Sequence, residues 1–379
     1  MLSARGDIAN AISQKFNDDL LVSEEDRKLA AEKYSSVYHV LDDAELRHAF
    51  HIHDMKANRA KRSGRIAGGA AIVLGALALA ASATEPLVQP IHLDVVTASI
   101  GAILGIISVL LGASATLTGK RKRYWLLHRF ATERLRQFHF QAFVYCLPEI
   151  VNSIQGTISV DQFKAYRDLQ LRTFRSQVLA KLESQFTSTL SEHGAEYIAL
   201  HIAAPGLPPT DNAAFSSLAA AYRELRLQHQ VDYASYKLSE SHSAKSSLPM
   251  RHARFFELIG IISIALLFLV HFSAISGVAV GYLRGVSYSE LTIATLLPVL
   301  AMWIAIIALA ANAFERGLQP EREIERYRAY LHGIQAILHR FDGAQSTLDR
   351  WRAMEDMERL SYTEMRDFLT TFTRAKFVM

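Results

Sequence analysis

The chain of 379 residues has one cysteine, Cys146, so it can form no intrachain disulfide, which fits a reducing compartment for its soluble parts. It also lacks the common enzyme signatures. There is no glycine-rich phosphate loop and no nucleophile elbow, and Cys146 falls on the apolar face of a helical pattern, so no enzyme is expected. The 15 histidines do not make a metal motif. His51 and His53 are two apart and so lie on different sides of a helix, no His-x-x-x-His pair exists, and His48 with His51 offers only two imidazoles. Neither a metal nor a cofactor is expected. The N-terminus carries Asp7 and no apolar core of signal-peptide type, and is not expected to be a cleaved targeting sequence.

The most informative absence is of charge. Residues 66–84, 95–119, 258–283 and 291–314 contain no Asp, Glu, Lys or Arg. At about 1.5 Å per residue each stretch can cross a hydrocarbon layer of ~30 Å as a helix. The predicted fold is therefore all-α: a polytopic membrane protein with four transmembrane helices in two hairpins and a helical cytoplasmic region. Half of the residues are hydrophobic, yet the net charge is +4 and the pI near 9. The bases gather at the hairpin ends. Lys56, Arg59, Lys61, Arg62 and Arg65 precede the first hairpin and Lys120, Arg121, Lys122 and Arg123 follow it, whereas its connection carries only Glu85 and Asp94. Arg251 and Arg254 precede the second hairpin, and Arg316, Arg322, Arg326 and Arg328 follow it. By the positive-inside rule both hairpins share one orientation, with both termini in the cytoplasm.

This divides the chain into a cytoplasmic N-terminal region 1–63, hairpin 64–119, a cytoplasmic helical region 120–254, hairpin 255–314 and a cytoplasmic C-terminal region 315–379. Within them the periodicity predicts a helix opening at Ser23 and running into the first membrane helix, with at most a break at Gly64. Tyr124 to Cys146 reads as an amphipathic helix ended by Pro148, on whose surface Arg129 and Glu133 can pair. Further helices are expected over 161–193, about 211–238 and 321 to about 341, the last followed by a capped restart near Ser361. A turn is expected near Asn17-Asp18-Asp19, and loops at the Pro-rich 205–209 and the Ser-rich 239–248.

Candidate sites come in four groups. On a helical wheel Thr97, Gly101, Gly105, Ser108, Gly112 and Thr116 share about a 100° sector. Such a stripe lines a polar conduit or permits close helix packing. His271, near the middle of the third span, belongs either to a polar cavity or to a hydrogen bond with a neighbouring helix. Lys120, Arg121, Lys122 and Arg123 with Tyr124 and Trp125 combine cations and aromatics that can hold phosphates and stack a base, although the positive-inside rule and an aromatic belt place the same residues there. Arg129 lies one turn further on. A second basic surface comprises Arg167, Arg172, Arg175, Arg223 and Arg226, for which a solvated helix face is the bland alternative.

The exit helix of the first hairpin reads Trp125-x-x-x-Arg129-x-x-x-Glu133-Arg134-Leu135-Arg136. This pattern, over roughly residues 30–145, resembles the SLATT family, two-helix membrane modules associated with nucleotide-making and nucleotide-sensing proteins in bacterial defence. The resemblance implies a membrane effector in the bacterial inner membrane that forms an ion-conducting pore in antiviral defence. It would be controlled by a nucleotide or short oligonucleotide from a partner nucleotidyltransferase. Four helices enclose little space, so a pore implies a symmetric homo-oligomer, with a tetramer favoured. The second hairpin, 258–314, departs from a two-helix module. The alternative function is a non-conducting membrane scaffold that recruits a soluble partner.

Overall fold

The computed structural model describes residues 19–116, 120–191, 197, 199–201, 213–239, 249–284 and 291–374, with the backbone alone described for 114–116, 277–284, 291–295 and 374. Most of the turn at Asn17-Asp18-Asp19, the Pro-rich loop, most of the Ser-rich segment and the Thr116 side chain lie outside the described residues. Among the described residues there are helices and no strands. Four helices among the described residues are long and apolar enough to cross a membrane. The fold is therefore all-α with the spans in two hairpins.

The described residues divide into two compact units. One, the helical unit, draws on residues up to Arg59, on Tyr124–Leu248 and on Arg322–Arg374. The other, the membrane unit, draws on Ala60–Arg123 and Pro249–Glu321. Three chain segments that are far apart in sequence thus share one core.

The first helices differ from the sequence expectation. Helix α1 (Glu24–Lys33) opens at Ser23, whose Oγ accepts the Asp26 amide at 3.0 Å. The pattern then breaks twice, before the short α2 (Tyr38–Leu41) and again at Asp42 and Asp43. Asp43 Oδ1 accepts the Leu46 amide at 3.0 Å and so caps α3 (Ala44–Val88). A carboxylate that satisfies an N-terminal amide starts a new helix even where no Pro or Gly interrupts the sequence. No break occurs at Gly64. Helix α3, 45 residues long, runs unbroken past it.

Helix α4 (Asp94–Thr116) folds back on α3 through the turn Gln89–Ile91, where His92 takes a left-handed conformation with φ 58°. Helix α5 (Lys120–Tyr145) ends at Tyr145, and Pro148 lies in the first turn of α6 (Leu147–Ile154), where the missing amide costs no hydrogen bond. Gly156, with φ 74°, makes the turn into α7 (Val160–Phe174). A capping box at Ser159 and Gln162 fixes its start.

The single helix expected over 161–193 is divided. A π-helical segment, Arg175–Leu179, and a turn separate α7 from α8 (Leu182–Leu190). A second π segment, Arg223–Gln228, joins α9 (Ala213–Tyr222) to α10 (His229–Leu238). The second hairpin is α11 (Pro249–Arg284) packed on α12 (Leu291–Leu318). Helices α13 (Pro320–Gly343) and α14 (Thr347–Arg374) are the last of the described elements. The restart lies at Ser346, whose Oγ accepts the Asp349 amide at 3.1 Å, and not near Ser361, which is buried inside α14.

The core of the helical unit is built around α5. Trp125, Phe130, Leu135, Phe138, Phe140, Phe143 and Val144 are all buried, and α5 is enclosed on most of its circumference. Each such side chain contributes roughly 1.5–3 kcal/mol of burial. Aromatic contacts reach it from the C-terminal helix: Trp125 meets Phe368 and Phe372 edge-on, with ring centroids 5.9 and 5.3 Å apart. Trp351 Nε1 donates to the Val144 carbonyl at 3.1 Å.

Candidate functional site

The enclosure of α5 turns its polar residues inward. Arg134 and Arg136, polar residues of the amphipathic pattern over Tyr124 to Cys146, are buried. Arg136 contacts the Asp19 carboxylate at 2.8 Å and donates to Glu133 at 2.9 and 3.0 Å. Arg129 lies 2.6 Å from Glu133 and 3.9 Å from Asp54. The expected Arg129–Glu133 pair therefore exists, but it belongs to a mostly buried network and not to an exposed helix surface. Burial would raise the Glu133 carboxyl, yet Arg129 and Arg136 on either side outweigh it and hold it at about 2.

Arg226 extends the network. Its guanidinium binds Glu358 bidentately, Nε to Oε1 and Nη2 to Oε2 at 3.0 Å each, donates to Ser361 Oγ at 2.9 Å, and lies over the Phe140 ring at 4.4 Å. Tyr222 donates its hydroxyl to the same Glu358 at 2.8 Å. Asp19, Glu133 and Glu358 thus face Arg129, Arg136 and Arg226. Every guanidinium has a carboxylate beside it, which is what allows these charges to be buried. Arg134 stands apart, 3% exposed, with the Gln137 amide oxygen 2.9 Å away and the Tyr362 ring at 5.5 Å.

The second basic surface is mostly engaged in holding segments together. Arg167 donates to the carbonyls of His39 and Asp42 at 3.1 Å and pairs with Asp43 at 3.2 Å. Arg175 pairs with Glu45, and Arg223 binds Asp342 at 2.6 and 2.7 Å. Arg167 and Arg175 clasp the start of α3. Arg223 and Arg226 clasp α13 and α14. Only Arg172, of these five, is exposed and without an ion pair among the described residues.

At the start of α5, Lys120, Arg121 and Arg123 are exposed and Lys122 is half-buried. Tyr124 is exposed and meets His128 edge-on at 4.3 Å, whereas Trp125 is 4% exposed and occupied by Phe368 and Phe372. The expected stacking pair is therefore split: Tyr124 presents a ring to solvent and Trp125 does not.

In the membrane unit the small-residue stripe of α4 meets α3. Ser108 Oγ donates to the Ala71 carbonyl at 2.7 Å. A Cβ on Gly101 would lie 3.3 Å from the Ala78 carbonyl oxygen, and one on Gly105 would meet the Ala78 methyl at 3.8 Å. Thr97 is satisfied within its own helix, donating to Leu93 at 2.9 Å. Gly112 and Ser108 border an apolar groove of about 330 Å³ completed by Gly75, Ile306 and Leu309. His271 is exposed on α11 and donates Nδ1–H to the Leu267 carbonyl at 2.7 Å.

The structure also assembles groups that no spacing in the sequence announced. A cavity of about 30 Å³, room for one or two waters, is lined by Asp43, His139, Cys146, Tyr166, Arg167 and His201 among others. His201 Nε2 donates to the Phe138 carbonyl at 2.8 Å, so Nδ1 faces the Cys146 thiol 3.4 Å away as an acceptor, and Tyr166 donates to the sulfur at 3.5 Å. Burial raises the Cys146 thiol to about 11 and lowers His201 to about 4, which keeps the proton on sulfur and the pair neutral. His53 and His128 likewise touch through their Nδ1 atoms at 2.9 Å. The partners are 55 and 75 residues apart in the chain, beyond the reach of any local motif. Among the described residues no group of three or more His, Cys, Asp and Glu is placed to hold a metal ion.

No family model, curated protein or solved structure matches this chain.

Proposed function

We propose that this chain is a membrane effector, several copies of which surround an ion-conducting pore in a bacterial inner membrane. Its helical unit lies on the cytoplasmic side, and the pore serves antiviral defence under the control of a nucleotide or short oligonucleotide made by a partner nucleotidyltransferase. The likeness to the SLATT pattern at Trp125, Arg129 and Glu133 motivates the signalling part. The observation that carries the gating part is helix α3: residues up to Arg59 belong to the helical unit, those from Ala60 to the membrane unit, and no residue between Ala44 and Val88 leaves the helix. A ligand that binds two packings of the helical unit with different affinity would bias the spans through that helix. Assembly is supported by the spans themselves, whose most apolar windows are only 6–28% buried within the chain. For the ligand, the exposed cations Lys120, Arg121, Arg123 and Arg172 are better placed than Arg167, Arg175, Arg223 and Arg226.

The test is ion efflux from proteoliposomes carrying the purified chain, with and without cyclic dinucleotides and short oligoadenylates. Ligand-dependent efflux from correctly inserted protein is expected. Its absence across that panel would remove the pore. The second reading, a non-conducting scaffold, draws on Gly101, Gly105 and Ser108, which contact α3 and leave α4 without a polar face of that origin. It predicts no flux, and loss of activity on changing the surface of α7 and α10.

A further inference from the structure

His271 of α11 and Trp303 of α12 each present a polar atom for which the described residues supply no hydrogen-bond partner. His271 uses Nδ1–H on Leu267, so its Nε2 carries a lone pair and accepts. Trp303 of α12 is 41% exposed, and its indole N–H can only donate. Each lies about 20 Å along its helix from the α11–α12 connection, so the two stand at the same depth, near the middle of the uncharged stretches. Lipid tails supply neither a donor nor an acceptor there, and polar groups at that depth face protein or water.

Each residue sits in an exposed stripe of the same spacing. On α11, Ile264, Phe268 and Ile275 flank His271 and are 70, 73 and 70% exposed. On α12, Leu296, Leu300 and Ile307 flank Trp303 and are 48, 41 and 57% exposed. Steps of four, three and four residues form the seam that lets two helices interlock over several turns. One seam carries an acceptor and the other a donor.

We infer that α11 of one copy packs against α12 of the next copy of this chain, with His271 Nε2 accepting the indole N–H of Trp303 across the contact. Copies inserted with one topology bring these helices together antiparallel, so that Phe268 lies opposite Ile307 and Ile275 opposite Leu300. Pairing α11 with itself would set acceptor against acceptor, and pairing α12 with itself would set donor against donor. The complementary contact is head-to-tail, the kind that generates a ring where its rotation closes and that cannot make a twofold dimer. The inference rests on the reading of the chain as a membrane-spanning oligomer and does not depend on conduction.

Oxidative cross-linking of the full chain in proteoliposomes tests it. The double variant F268C/I307C, with Cys146 retained in the core, is expected to give a ladder of covalent oligomers on treatment with copper–phenanthroline, and each single variant none. Adding His271→Leu should lower the cross-linked fraction roughly 3- to 20-fold, the range of one interhelical hydrogen bond in a membrane, and His271→Gln, which keeps an acceptor, should retain most of it. No ladder from the double variant, or a dimer from F268C or I307C alone, overturns the contact. Equal loss in the Gln and Leu variants overturns the hydrogen bond. A ladder without ligand-dependent efflux keeps the contact and removes the pore.

Discussion

Arg226 and Glu358 form a two-point pair, both hydrogen bonds 3.0 Å long, between a π-helical segment of the central region and the C-terminal helix α14. Both side chains are shut off from solvent, at 2 and 0% exposure. Asp19 from the N-terminal segment and Arg136 from α5 complete the cluster. Four chain segments therefore meet at charged groups that none of them could bury alone.

Breaking that pair on one side leaves an uncompensated buried charge, which costs on the order of 3–5 kcal/mol. Glu358→Leu and Arg226→Met are each expected to destabilise the helical unit by that amount. The double variant should be closer to the parent protein than either single one. Thermal unfolding followed by far-ultraviolet circular dichroism in detergent measures this, and single variants that melt with the parent protein would show that the cluster does not hold the segments together.

The buried imidazoles set a response to acid. Burial, then the charge of Arg167, lowers His139 to about 3, and burial lowers His201 to about 4. A histidine depressed in the folded state contributes stability above its unfolded pKa of about 6.5 and loses it as pH falls toward the folded value. Each group therefore removes about 1.4 kcal/mol per pH unit below that point. The helical unit should lose stability from about pH 6 down to about 3, His201 contributing as far as about 4, and His139→Phe should flatten that dependence in urea titrations at a series of pH values.

Glu133 acts in a lower window. Its carboxyl, held at about 2, contributes stability above the ordinary Glu value of about 4.3 and loses it between there and 2. Glu133→Gln should weaken the unit at neutral pH and remove the portion of the acid response below pH 4. A variant with an unchanged acid limb would exclude this assignment.

The α3–α4 hairpin discriminates between two glycines of the same stripe. A Cβ at Gly101 would approach the Ala78 carbonyl oxygen to 3.3 Å, whereas one at Gly112 meets nothing within 4 Å. Gly101→Leu is expected to lower the melting temperature of the detergent-solubilised protein by several degrees, through overpacking of about 1–3 kcal/mol. Gly112→Leu should leave it nearly unchanged. Equal effects would mean that the stripe does not pack on α3.

Cys146 should report on opening of the helical unit. A thiol at about 11, 3% exposed and donating to His201, reacts slowly with maleimide at pH 7.5. Mass spectrometry should find it unmodified in native protein and fully modified in denaturant. Fast labelling of the native chain would place the thiol outside the core.

The number and position of the spans were legible in the sequence because a membrane helix is a local property: about twenty uncharged residues are enough, and each stretch qualifies without reference to any other. The helical class of the intervening segments followed in the same way from periodicity. Caps were partly legible. Ser23 was found, but Asp43 and Ser346 were not, since a side chain caps only where the chain turns to bring it over an amide. What tertiary structure alone decided was the meaning of the polar residues. Arg134, Arg136 and Arg226 look like a solvated face in sequence and are buried in the fold, because their partners come from segments up to about two hundred residues away. The stripe from Thr97 to Gly112 was visible as a pattern, yet only the packed hairpin placed Gly101, Gly105 and Ser108 against α3. A wheel gives a residue its direction on one helix. What stands in that direction depends on helices elsewhere in the chain.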